Sequence, residues 1–518
     1  MKITTIKLPA IQANEHTPLV GKLLEIIKEL EEQRDALKRE IDRLKGHKSK
    51  PNLRPNSLEK RRKKHERGDD KKQGLPKTIP LTNRTEIIKA ENKPANARFK
   101  GYRNYRVQEL AIHAENILYK LERWQLPEGG YVVAKLPSGL SGKHFGPVLQ
   151  AYVLHQYHHQ GVTQPLLHSQ LKEWGIKISR GELNQLLVAG KEDYHQEKEA
   201  LLEAGLSTSS YIHVDDTGAR HAGENGYCTH IGNESFAWFE STQSKSRLNF
   251  LKLLRQKHKD YVFNEVSFSY MQRQHLAPTV CALLKKGQHY FANEEAFETY
   301  LKEQHVINER HIRIITEAAL IGSVLSHGFL QDAVIMSDDA GQFNVLRHAL
   351  CWIHAERNIN KLIPGHDLQL QAIESVRSAL WTIYHDLKAY KEKPTLSAKT
   401  QIEAAFDALC EQKTCYQLLN LQLKRIKANK AELLLVLERP DIPLHNNLSE
   451  QDIREYVKRR KISGSTRSDE GRRCRDTFAS LKKTAAKLKV AFWDYLIDRI
   501  THQQKVPWLP DLIVQTAR

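Results

Sequence analysis

Thr208–Arg220 reads TSSYIHVDDTGAR: a β-branched and aromatic run, Tyr211–Val214, that ends abruptly in two aspartates, Asp215 and Asp216. Such a run predicts a buried strand, and GYCTHIG (226–232) and ESFAWFE (234–240) follow at hairpin distance as its antiparallel partners. The pattern returns downstream. QDAVIMSDDAGQFN (331–344) is a short apolar strand, Ala333–Met336, ending in Asp338 and Asp339. A helix carrying Asn344 and Arg347 is expected next, then an apolar strand LCWI (350–353) before His354. One acidic residue at a strand end is ordinarily a turn residue. Two strands that both end in paired aspartates imply a carboxylate cluster, and clustered carboxylates repel unless a cation neutralises them.

A third carboxylate lies in PLHNNLSEQDIREYVKRRKISGS (443–465), where Asn446 and Asn447 open a helix and Glu450 falls on its first turn. Asn-x-x-Glu is also a capping-box spacing, so Glu450 has a purely structural reading, and Asp452 and Glu455 are alternative carboxylates on the same helix. A carboxylate trio on a mixed sheet and a helix suits phosphoryl transfer assisted by two Mg²⁺ (or Mn²⁺) ions, because hard oxygen ligands select these metals over zinc.

The charge balance points to a polyanion. Among 518 residues, 80 Lys+Arg stand against 61 Asp+Glu, a net charge of +19. The excess concentrates in two blocks of +8 each, 41–72 and 451–489. The first contains LEKRRKKHERGDDKKQG (58–74), broken by Gly68, and reads as a basic flexible linker that grips phosphates without reading sequence. No run approaches the ~20 apolar residues of a membrane span, so no membrane partner is expected. The six cysteines lack disulfide spacing, which fits a reducing cytoplasm.

The expected fold class is α/β and multidomain. Residues 17–46 form a coiled-coil oligomerisation helix, with Leu23, Leu30, Leu37 and Leu44 at d and Val20, Ile27, Arg34 and Ile41 at a, a pattern that favours a parallel dimer. A basic linker occupies 47–99 and a small β-rich module 100–145. A helical region, 146–205, contains TQPLLHSQLKEWGIKISRGELNQLL (163–187), which reads as helix, turn at Gly175, and a second helix after Ser179, a helix-turn-helix-like DNA-binding element. The catalytic domain spans 206–500 with insertions near 255–330 and 362–440, and 501–518 is a C-terminal tail.

HVDDTG, VIMSDDAGQF, LCWIHAER, HNNLSEQDIR, KRRKISGS and RDTFASLKKTAAKL follow one another in an order that resembles the insertion-sequence 66 DDE transposases, over about residues 100–498. The resemblance implies a ribonuclease-H-like catalytic domain whose catalytic and metal-binding trio is Asp215, Asp338 and Glu450, the first member of each Asp pair matching. It implies DNA as partner, both transposon ends and target, with strand cleavage followed by joining. His354, Asn446 and Asn447 are expected to support the site. Arg454, Lys458, Arg459, Arg460, Lys461, Lys482 and Lys483 are the candidate DNA contacts. A homodimer and accessory element-encoded proteins complete the expected partners. The chain departs from the family in three places. It has no cysteine before Cys228, so the N-terminal zinc module of many relatives is absent. His445-Asn446 stands where Asp-Asn is usual, and Asp215-Asp216 where Asp-Glu is commoner. Cys351 and His354 form a C-x-x-H pair, two ligands where a structural zinc needs four, with Cys410 and Cys415 as remote candidates to complete it. The alternatives are a Mg-dependent nuclease that does not join strands, and a non-catalytic DNA-binding or assembly protein that retains the fold.

Overall fold

The computed structural model describes residues 84–89, 97–105, 107, 110–137, 139–140 and 144–517. The coiled coil expected over 17–46 and most of the 47–99 linker lie outside the described residues. The chain divides into two units, 1–106 and 107–518; the described residues of the first, 84–89 and 97–105, are exposed and form neither helix nor strand. The β-rich module expected over 100–145 is present as one short hairpin, Arg123–Gln125 with Tyr131–Val133, all of it exposed.

The second unit is built on a five-stranded mixed sheet. Its strands are β1 (Tyr211–His221), β2 (Glu224–Gly232), β3 (Ala237–Thr242), β4 (Val334–Ser337) and β5 (Arg347–Leu350), in the spatial order β3-β2-β1-β4-β5. β1, β2 and β3 are antiparallel, whereas β1 and β4, and β4 and β5, are parallel. β4 shows why its sequence is apolar without alternation. Ile335 packs into one core with Ile212, Val214 and Phe343, while Val334 and Met336 enter a second core on the opposite face with Leu380, Phe406 and Leu419. A strand covered on both faces needs apolar residues at every position.

Helices precede the sheet. α1 (Gln164–Glu173) and α2 (Arg180–Val188) meet at a turn where Gly175 adopts φ +80°, and Ser179 and Glu182 close a capping box at the start of α2. The helix-turn-helix-like pair expected there is therefore present as two helices and a turn, with Leu167, Leu171, Leu183 and Leu187 in the main core. α3 (Glu192–Thr208) leads into β1. After β3 comes α4 (Arg247–Arg255), then the first insertion: helices Glu265–Arg273, Pro278–Lys286, Glu294–Glu303 and α5 (Glu309–Ser326), with a hairpin of Tyr261–Val262 and Tyr290–Phe291.

Two local expectations are corrected beyond β4. No helix carries Asn344 and Arg347: residues 338–346 turn directly into β5, which Arg347 opens. Nor is LCWI a strand throughout: Leu350 ends β5, and Trp352 already begins α6 (Trp352–Asn360). The indole reaches across to the Leu433 carbonyl, 2.8 Å away, so the apolar residues of this stretch serve a helix packed on the second insertion. That insertion is helical as expected: Asp367–Glu392, Leu396–Glu411 and Gln417–Ala428 build the second core. The chain then forms α7 (Asn447–Ser463), α8 (Asp469–Lys487), α9 (Phe492–Thr501) and α10 (Leu509–Thr516). Within the expected C-terminal tail, 501–518, α10 is thus a docked helix. Buried Glu197 explains its docking, since it accepts from the Tyr495 hydroxyl, the Arg499 guanidinium and the Leu509 amide at 2.8–3.1 Å.

α8 closes the sheet edge by an unusual pairing. The outward amides of Ala237, Phe239 and Ser241 on β3 donate to Thr484, Ser480 and Asp476 of α8 at 3.1, 2.9 and 2.8 Å. Residues four apart on a helix rise ~6 Å and residues two apart on a strand ~6.6 Å, so the two ladders stay in step over three rungs. The edge strand is satisfied without a neighbouring strand. Ser480→Ala leaves the buried Phe239 amide without its acceptor and is expected to cost about 1–3 kcal/mol; a lower urea midpoint at unchanged slope is the measurement, and an unchanged midpoint contradicts the ladder.

Candidate active site

β1 and β4 pair in parallel, Ile212 with Ile335 and His213 with Met336. Continuing that register by two residues brings Asp215, within β1, opposite Asp338, just past the end of β4, with their side chains on the same face. The second member of each pair is engaged elsewhere. Asp216 accepts from Thr229 Oγ1 at 2.5 Å and Gln342 Nε2 at 2.9 Å, and Asp339 accepts from Arg425 at 2.5 Å and Asn429 at 3.3 Å. Asp215 and Asp338 have only local amides, those of Asp216 at 2.8 Å and Ala340 at 3.1 Å.

Glu450 arrives from α7, and the capping-box reading fails. Asn446 is the N-cap, but its side chain makes no cap hydrogen bond. Instead its Nδ2 donates to the Val214 carbonyl at 2.9 Å, its Oδ1 accepts from His213 Nδ1 at 2.8 Å, and its backbone amide donates to Cys351 Sγ at 3.2 Å. Asn446 is 1% exposed, so these bonds fasten the start of α7 to the first half of β1 without competition from water. Glu450 Oε1 accepts from Arg357 at 2.8 Å and lies 3.5 Å from His354 Nε2, both on α6. His354 thus lies beside Glu450, and Asn446 joins α7 to β1. Asn447 is the first residue of α7.

The alternative carboxylates of α7 are occupied. Buried Asp452 meets His230 at 3.3 Å, Lys483 at 3.2 Å and Lys487 at 2.8 Å. Burial pushes its carboxyl up, but the His230 ring and the Lys487 ammonium outweigh this and hold it well below the usual range. Glu455 pairs with Lys458 at 2.9 Å and Lys482 at 3.8 Å. Asp215 shows the opposite balance. Burial, then the Asp338 charge, then those of Asp216 and Glu450 push its carboxyl up to about 7, against the single amide of Asp216. Behind the strands, burial lowers His213 to about 4 and His348 to about 4, so both are neutral hydrogen-bond partners at pH 7.

The candidate DNA contacts divide. Arg454, Lys458 and Lys461 are exposed. Arg459 is half-buried, its guanidinium 4.0 Å over the Tyr157 ring. Arg460 donates to the Gly218 carbonyl, Lys482 to the His158 carbonyl at 3.2 Å, and Lys483 pairs with Asp452. Two other cations escaped the sequence reading. Arg357 contacts Glu450, and Arg247 bonds the Gly341 carbonyl at 2.5 Å, holding the loop after Asp338. An open cleft of about 750 Å³ beside that loop is lined by Lys245, Arg247, Arg313 and Gln342. Neither arginine stands in a charge run, so only tertiary structure reveals them.

The sequence model described as "Transposase IS66 family" matches residues 142–256 and 316–473, more than half of the chain. The chain belongs to the IS66 transposase family. An uncharacterized protein of Sinorhizobium fredii (strain NBRC 101917 / NGR234), y4jO, is 45% identical over 303 residues, 58% of this chain and 94% of that protein. Membership makes this IS66 relative a transposase in the general sense, with DNA as its partner. Among the described residues no helix is long and apolar enough to cross a membrane.

The raised Asp215 carboxyl has a stability consequence. A folded pKa near 7 above an unfolded value of 3.8 stabilises fully below pH ~4 and is lost as pH rises through 7. Asp215→Asn removes that loss, so in metal-free buffer its melting temperature should exceed wild type at pH 8 by much more than at pH 5. The ceiling is roughly 2–4 kcal/mol. A pH-independent difference contradicts the electrostatic assignment.

Proposed function

We propose that this IS66 family member is a DDE-type transposase with a ribonuclease-H-like catalytic domain, whose acidic trio is Asp215, Asp338 and Glu450. One observation carries the reading: Asp215 lies opposite Asp338 in the parallel register of β1 and β4 and feels the charges of Asp338 and Glu450, while Asp216, Asp339 and Asp452 are each committed to other partners. Three clustered carboxylates offer the hard oxygen donors that suit divalent cations. When bound, two Mg²⁺ (or Mn²⁺) ions would activate the attacking oxygen and stabilise the leaving one. Asp215, Asp338 and Glu450 would hold them, and Arg357 and His354 orient the Glu450 carboxylate.

In the first step water attacks the phosphodiester at the element end, the P–O3′ bond breaks, and the departing oxygen takes a proton to become a 3′-hydroxyl. In the second that hydroxyl attacks a target phosphodiester, joining element to target as the target's own P–O3′ bond breaks. α7 supports the placement of DNA. At 100° per residue, Arg454 and Lys461 lie within about 40° of Glu450 around the helix and Lys458 within about 80°, so the exposed cations run along the face that leads away from the trio. Arg180, Asn184 and Gln185 are exposed on α2, where a recognition helix would read base edges. The heptads at 17–46 would pair two chains, with accessory element-encoded proteins as further partners, on the bacterial nucleoid.

A labelled element end incubated with protein and Mg²⁺ tests the chemistry. Asp215→Ala, Asp338→Ala and Glu450→Ala are each expected to lower nicking and joining about a thousandfold or more, on the order of 4 kcal/mol in the barrier. Cleavage equal to wild type in any of them removes that residue from the trio, and nicking without joining by wild type identifies a nuclease. Lys461→Ala should weaken binding uniformly across sequences and reduce the salt slope, log K against log salt, by about 0.9; an unchanged slope takes Lys461 off the DNA path.

A further inference from the structure

His258, Asp260 and His327 form a cluster distinct from the carboxylate trio. One nitrogen or oxygen from each lies within 4.8 Å of the other two, and among the described residues no other set of three or more His, Cys, Asp or Glu closes to that spacing. His258 and Asp260 stand two residues apart just before Tyr261. His327 follows the last residue of α5. Its Nε2 lies 2.9 Å from Asp260 Oδ1, and its ring stacks on that of His258 with centroids 3.5 Å apart and planes 14° apart.

We infer that these three residues form a zinc site, a clasp at the base of the first insertion. A plain His–Asp hydrogen bond accounts for His327 and Asp260 but leaves the second imidazole unexplained. Each neutral imidazole keeps one nitrogen lone pair that can bind a metal. Two imidazoles and one carboxylate form a borderline donor set that suits Zn²⁺ rather than Mg²⁺. Asp260 is buried and the two histidines are half-buried, so the ion has a fixed anion beneath it and a path from solvent. Phe329, with its ring centroid 5.9 Å from that of His258 and 6.3 Å from that of His327, forms an apolar wall. Two cations stand close and are already engaged: Arg255 donates to the Asp260 carbonyl at 2.8 Å, and Lys257 pairs with Glu203 at 3.1 Å. The exposed Lys259 completes the neighbouring charges. Binding exchanges the His327–Asp260 hydrogen bond and the ring stack for three bonds to the ion, with water as the fourth ligand.

Position gives the clasp its role. The family match lapses over 257–315, and His258 and Asp260 are among the first residues of that lapse. His327 lies just after the helix that carries the chain back into the matched region. An ion here ties the entrance of the insertion to its exit and shortens the loop that the unfolded chain must close. The site makes no use of Asp215, Asp338 or Glu450, so it stands or falls apart from the catalytic reading.

Full-length protein stripped with a chelator and titrated with Zn²⁺ is expected to bind one ion at this site and to melt several degrees higher, with no such rise in Mg²⁺. Co²⁺ in its place should give the intense visible absorption of a tetrahedral site. His258→Ala should weaken Zn²⁺ binding at least tenfold and abolish both the melting shift and the Co²⁺ band. Asp215→Ala should leave all three unchanged. Without metal, His258→Ala should melt with wild type, and His327→Gln gives a second variant should it not. Wild-type protein without the Co²⁺ band, or Zn²⁺ uptake and melting shift retained in both histidine variants, overturns the clasp.

Discussion

The amide of Asn446 is the joint on which the site depends. It sits between the two chain segments that must meet, donating to the residue before Asp215 and accepting from the one before that, four positions ahead of Glu450. α7 leaves this point as a helix, so the position of Glu450 follows from the anchor within one turn. Only an amide serves here: the Val214 carbonyl needs a donor and the neutral His213 ring needs an acceptor, and a carboxylate or an apolar side chain would leave one of them buried and unpaired. The residue therefore looks like a helix cap in sequence and acts as a tertiary clamp.

The remaining supports share that logic of pinning α7 and α8 to the sheet through polar side chains. Ser449 bonds the ring of His230 at 2.6 Å, Asp452 draws in Lys483 and Lys487, and Tyr456 meets Ser241 at 2.7 Å beside Asp476. Asp476, buried and pushed up to about 7, first by burial and then by the Glu240 charge, ends the ladder along β3. Apolar packing tolerates sliding between a helix and a sheet; a row of directed hydrogen bonds does not. Catalysis that needs three carboxylates in register gains from this second kind of contact.

What could be read from sequence was what local patterns dictate. Uninterrupted apolar runs ending in Asp marked β1 and β4, and Gly175 with the Ser179–Glu182 spacing marked the turn between α1 and α2. The short link from β4 to β5 was misread because LCWI is apolar for the sake of the second insertion, so strand and helix look alike there. α10 was read as a tail since its partner, Glu197, lies more than 300 residues away. Glu450 could not be separated from Asp452 or Glu455 by spacing, as all three lie in the first turns of one helix and only their tertiary neighbours differ.

Those neighbours explain how a region so rich in charge keeps a few carboxylates in reserve. A strongly basic chain offers a cation to almost any exposed acid, and most of the acids near the site have taken one: Asp339 has Arg425, Asp452 has two lysines, and Glu455 has two more. Asp215 has none among the described residues: it stands within β1, flanked by β2 on one side and by Asp338 on the other. Its charge is opposed by burial and by its acidic neighbours together. A carboxylate beside acidic neighbours and without a lysine of its own is one that a small, hard dication would complete. The absence of a paired ammonium at Asp215 would thus be the physical counterpart of the proposed affinity for metal, and it is set by where β1 and β4 place the residue rather than by the acidic residues themselves.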